Sequence, residues 1–117
     1  MPSTPVPQRS PEQRRRAIEA ALACRRERAR LRRALHTGEI TLADWFTLAD
    51  RDPDGVAART RPIDLVRAWP GHRRTERAQA VLDALGIAKA RRVRGLGKRQ
   101  RAALIREMDT RMGRRDA

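Results

Sequence analysis

The sequence predicts an all-α protein, with one long N-terminal helix leading into a compact set of shorter helices. Apolar residues recur at three- and four-residue intervals wherever they cluster, and no stretch alternates with period two. Helix start and stop signals divide the chain cleanly: Ser and Thr caps, Pro at first helical positions and Gly after last ones. A chain of 117 residues is one domain with short ends. The expected divisions are a flexible leader at 1–9, a long basic helix at 10–38, a compact domain at 39–112 and a flexible tail at 113–117.

The leader holds three of the seven prolines. Ser10-Pro11-Glu12-Gln13 then forms a helix start with a Ser cap, Pro at the first position and Gln closing a capping box. Nothing interrupts the helix until Gly38, which suits its C-terminal stop. Its apolar residues form no single wide stripe: Ile18 and Leu22 share a face with Arg25, while Cys24, Leu31 and Leu35 lie on another. The expectation is a helix docked by its last turns, near Leu31 and Leu35, with an arginine-rich N-terminal half that projects.

Thr41 and Asp44 cap a second helix with Leu42, Trp45, Phe46 and Ala49 inward. Asp52-Pro53-Asp54-Gly55 marks a turn or the start of a single helical turn through Ala58. Pro62 opens a third helix carrying Ile63, Leu65, Val66 and Trp69, and Pro70-Gly71 ends it. A fourth runs from about Thr75 to Leu85 with Ala78, Val81 and Leu82 inward. A last helix after Gly97 buries Ala103, Leu104 and Met108.

Charge says more about partners than about fold. Lys+Arg of 28 against Asp+Glu of 14 leaves +14, and 26 of the 28 cations are arginines, whose flat fork suits phosphate. Such a chain is expected to bind a polyanion. Cys24 is alone and His36 and His72 are isolated from it, so no disulfide and no metal site are expected. No Walker loop, nucleophile elbow or diagnostic Cys/His spacing occurs. Asp64 and Asp83 read as solvent-facing helix residues. No enzyme and no cofactor are therefore expected. No apolar run approaches the ~18 residues of a membrane span, and the N-terminus lacks the apolar core of a secretion signal. A cytoplasmic location without membrane association follows as the expectation.

Two basic turns stand out. The first lies between Trp69 and Thr75 and contains Gly71, His72, Arg73 and Arg74. The second, "ARRVRGLGKRQ" at 90–100, contains Arg91, Arg92, Arg94, Gly95, Gly97, Lys98 and Arg99. Glycine and cations ahead of a helix N-terminus suit a phosphate group. Val93 is expected to tuck beneath the second turn as its apolar pin. On the first helix Arg14, Arg15 and Arg25 are the candidate contacts.

The segment "RRVRGLGKRQRAAL", with "ALGI" just before it and a Pro-Gly turn upstream, resembles the actinobacterial integration host factor family. The likeness spans roughly Ser10 to Met108 and is most specific in the last forty residues. It implies a helix–two-turns–helix domain, similar to that of a small-subunit ribosomal protein and some DNA glycosylases. It also implies sequence-tolerant binding and bending of double-stranded DNA, nucleoid association and assistance to a phage integrase. In the family the glycine-arginine turn contacts DNA, which carries onto Arg91, Arg92, Arg94, Gly95 and Gly97. The Pro-Gly turn departs from the family pattern: it lacks a second glycine and has one extra residue. Side chains of His72, Arg73 or Arg74 would then replace backbone contacts. The poor heptad pattern of the first helix favours a monomer. The rivals are a module binding structured RNA and a transcription-associated protein that pairs through its long helix.

Overall fold

A computed structural model describes residues 10–69 and 74–116, with side chains through residue 110. The leader and three of the candidate residues, Gly71, His72 and Arg73, lie outside the described residues. Helix α1 spans Pro11–Thr37, α2 Leu42–Arg51, α3 Val56–Arg59, α4 Pro62–Arg67, α5 Thr75–Ala84 and α6 Lys98–Asp116; a 3-10 turn occupies Val93–Gly95. The described residues contain no strand. Helix α6 continues past Met112 to Asp116, where the sequence suggested a tail.

Local signals set these boundaries. Ser10 Oγ accepts the Gln13 N–H at 3.1 Å and Gln13 Oε1 accepts the Ser10 N–H at 2.8 Å, satisfying donors that the first helical turn leaves unpaired. Thr41 and Asp44 make the same reciprocal pair at the start of α2, at 2.8 and 3.0 Å. Gly38 closes α1 with φ of 81°, a left-handed conformation that favours glycine.

Only the last turns of α1 are buried, through Leu31, Ala34 and Leu35, whereas Ile18 is 59% exposed and Leu22 41%. The N-terminal half of the helix therefore projects. The radius of gyration of 17.7 Å agrees, since a compact chain of this length would have about 13 Å. The core itself is shared by every element. Trp45, Ala58, Leu65, Val66, Ala78, Val93 and Leu104 are its most enclosed members. Trp45 also donates its indole N–H to the Ala57 carbonyl at 3.1 Å, tying α2 to α3 without leaving a buried donor unpaired.

Candidate nucleic-acid interface

The second basic turn is built on α3. The Val93 side chain is fully buried, and its N–H donates to the Thr60 carbonyl at 2.9 Å. Thr60 is itself buried, with its hydroxyl donating to the Val56 carbonyl at 2.7 Å. Leu96, also buried, fixes the other end of the 3-10 turn. An apolar residue at each end thus holds the turn down while the residues between and beside them face solvent. Val93 acts as the pin expected of it.

Arg91, Arg92 and Arg94 are all exposed, but none hangs free. Arg91 Nη1 donates to the Gly95 carbonyl at 3.1 Å and to Gln100 Oε1 at 3.2 Å. Arg92 Nη1 donates to the Arg59 carbonyl at 3.3 Å, and Arg94 Nη1 to the Pro53 carbonyl at 3.4 Å, with Asp54 Oδ1 at 3.6 Å. A guanidinium has five N–H donors, so each keeps several for an incoming anion while one fixes its position.

The glycines fit the close approach of a phosphate rather than a left-handed turn. Neither Gly95 nor Gly97 has a positive φ; among the described residues only Gly38 and Gly86 do. Left-handed backbone is therefore not the reason for glycine here. A side chain at Gly97 would meet nothing within 4 Å of its Cβ and would stand in the space a ligand backbone could approach. The Gly95 N–H donates to the Arg92 carbonyl at 2.9 Å, and the Gly97 N–H to Gln100 Oε1 at 3.3 Å. The outward donors are instead the N–H groups of the first turn of α6, at Lys98, Arg99 and Gln100, which helix geometry leaves without an intrahelical acceptor. They carry the positive end of the helix dipole.

Lys98 and Arg99 are exposed beside them. Arg74 is exposed at the start of α5 and caps that helix without a side-chain bond. Arg14, Arg15 and Arg25 are exposed on the projecting part of α1. Arg14 lies about 26 Å along the helix from the buried Leu31, at 1.5 Å per residue. The candidates thus divide between a contiguous turn and a separate arm.

Three features escaped the sequence reading. An open notch of about 420 Å³ beside the turn is lined by Arg61, Lys89, Ala90 and Arg92, which extends the cationic surface. Arg101 is a second. Its side chain is 18% exposed and reaches Asp50 with bonds of 2.8 and 2.9 Å, while Nε donates to the Leu96 carbonyl at 3.1 Å. Its guanidinium also lies over the Phe46 ring, 5.2 Å from the centroid. Asp50, at the other end of that bond, is the third. One signal was available: Arg101 stands three and seven residues before Leu104 and Met108, on the buried stripe of α6.

Residues 35–108 match the S13-like H2TH domain family. Across its length the chain is 39% identical to the integration host factor of Mycolicibacterium smegmatis, over 89% of this chain and 96% of the relative. It is 40% identical to the integration host factor of Mycobacterium tuberculosis, over 86% and 92%. The Streptomyces coelicolor integration host factor is 36% identical, over 87% and 92%. A solved structure of sIHF bound to an 8-bp palindromic DNA superimposes with a TM-score of 0.70 at 34% identity, covering 77% of this chain and 98% of that one. With likeness over nearly the full length of each relative, this chain belongs to the integration host factor family of mycobacteria and streptomycetes.

Proposed function

We propose that this chain is a non-enzymatic, architectural double-stranded-DNA-binding protein whose affinity depends little on sequence. The observation that carries the reading is the turn at 91–99. Exposed arginines are fixed on a buried base there, next to the N–H groups that open α6. A relative of similar fold bound to duplex DNA supports the same reading. Arg91, Arg92 and Arg94 take phosphate oxygens with their unused donors, while Lys98 and Arg99 neutralise neighbouring charge. The N–H groups of the first α6 turn receive a phosphate that approaches over Gly97. Arg74 contributes from the start of α5, and Arg14, Arg15 and Arg25 hold a second backbone segment along the arm.

Two grips from one monomer, separated along a rigid helix, would favour bent over straight DNA. Bending of this kind serves nucleoid compaction and could bring distant sites together for a phage integrase. Phosphate contacts carry no sequence code, so selectivity is low and salt sensitivity high. The test is equilibrium binding to several unrelated duplexes over a range of salt concentrations. Six neutralised phosphates give a log–log slope of about −5. A slope near −1, or about thousandfold discrimination among duplexes, refutes the reading. Tighter binding to structured RNA at equal salt would favour the RNA rival.

A further inference from the structure

Two carboxylates of the 50–54 segment meet the basic turn, in different ways. Asp54 is 94% exposed and stands 3.6 Å from Arg94, a loose pair in water. Asp50 instead grips a largely buried Arg101 with two short bonds to one guanidinium nitrogen. The same Arg101 holds the Leu96 carbonyl and covers the Phe46 ring. Leu96 directly precedes Gly97 and α6, so this carbonyl sits where the turn hands over to the helix whose N–H groups face outward. We propose that Arg101 and Asp50 are positioning residues for DNA binding. They touch no phosphate and fix the angle between the 93–97 turn and the start of α6, so that side-chain and backbone donors converge on one backbone segment. The inference rests on the reading that this turn contacts DNA.

The sign of one substitution separates this role from simple electrostatics. Asp50→Asn removes a negative charge from a protein that binds a polyanion, so charge alone predicts tighter binding. Loss of positioning predicts weaker binding and a shallower salt slope, because fewer phosphate contacts form together. Asp54→Asn removes the same charge four residues away without touching the brace, and serves as the control.

The experiment measures affinity and salt slope for Asp50→Asn, Asp54→Asn and Arg101→Lys in the full chain, well below each melting temperature. Asp50→Asn is expected to bind about three- to tenfold more weakly with a slope reduced by about one, whereas Asp54→Asn binds as tightly as the parent or more tightly. Arg101→Lys keeps the charge but loses the planar fork, and should weaken binding as Asp50→Asn does. It also keeps the proposal open to refutation if Asp50→Asn fails to fold. An Asp50→Asn or Arg101→Lys protein that binds as well as the parent overturns the proposal. A triple alanine variant at Arg91, Arg92 and Arg94 runs alongside: if it binds normally, the failure lies in the turn's contact with DNA and not in the brace.

Discussion

The arm and the turn carry the same side chain under opposite constraints. On α1 ahead of its buried last turns, Arg14, Arg15 and Arg25 stand exposed, and the core contact of the helix begins only at Leu31. In the turn, Arg91, Arg92 and Arg94 are equally exposed, yet each is held by a carbonyl of its own chain. An arginine that is already placed loses less side-chain freedom when a phosphate arrives, a cost of about 0.5–1.5 kcal/mol for a mobile side chain. Equal charge should therefore not mean equal contribution. The arm supplies reach and long-range attraction, whereas the turn supplies ordered contacts.

The harshest way to break this contrast is to remove the base of the turn. Val93→Asp places a carboxylate in a fully enclosed site and should destabilise the fold by roughly 3 kcal/mol or more, from lost apolar burial plus a buried charge. Chemical denaturation measures this directly. An unchanged midpoint would mean that the turn has no rigid base and that its arginines are as loose as those of the arm.

Removing three charges from each region sharpens the comparison. Arg91→Ala, Arg92→Ala and Arg94→Ala together should flatten the salt slope by about two to three units, one per lost phosphate contact. The matched triple at Arg14, Arg15 and Arg25 removes the same charge, and should lower affinity by no more than about a third as much on a logarithmic scale, given the ordering cost on the arm. Equal losses in the two titrations would leave anchoring with no role. The turn triple should also lose a little thermal stability, because three bonds to own-chain carbonyls go with it.

A truncation that removes the chain through Arg25 tests the arm from the other side. The buried turns of α1 begin at Leu31, so the shortened protein should melt within a few degrees of the parent while binding DNA more weakly. Circular dichroism and a binding titration on one preparation decide it. A truncated protein that is folded and binds like the full chain would show that the arm does not touch DNA.

Local chemistry made much of this molecule legible from its sequence. Both capping boxes and the Gly38 stop depend on neighbours within a few residues, while the docking of α1 through Leu31 and Leu35 and the burial of Val93 were legible because an apolar side chain among charged ones marks its own inward direction. What could not be read was long-range pairing. Arg101 finds Asp50 across 51 positions, and Arg94 finds the Pro53 carbonyl across 41, in a chain with 26 arginines to choose among. Composition labels every arginine as a possible phosphate ligand; only the fold separates the one that braces from those that face out. The glycines taught a similar lesson. Neither Gly95 nor Gly97 needs a positive φ, whereas the space above Gly97 leaves the clearance that approach to a phosphate calls for.

The smallest expected effect concerns acids on either side of the divide. Asp44 sits below the ordinary carboxyl range because the Thr41 backbone N–H and then its hydroxyl pair with the carboxylate. Glu27 is lowered chiefly by its side-chain bond to Arg30, at 2.7 Å on α1. For a carboxyl whose folded pKa is depressed, the stabilisation is fully present above the unfolded value and is lost as pH falls through the folded one. Both contributions should therefore be intact at neutral pH and fade below about pH 4. They should differ in how far they are felt. Asp44 caps α2, which carries Trp45 and Phe46 into the core, so fraying there disturbs global folding. The Glu27–Arg30 pair is exposed on one helix surface, and its loss loosens that surface alone. Asp44→Asn should thus lower the melting temperature slightly at pH 7 and approach the parent once the pH falls through the depressed folded pKa, while Glu27→Gln barely moves it across the same range. If Glu27→Gln were the more damaging at pH 7, the α1 surface at Glu27 would be part of the cooperative unit, and the boundary between arm and domain would lie further toward the N-terminus.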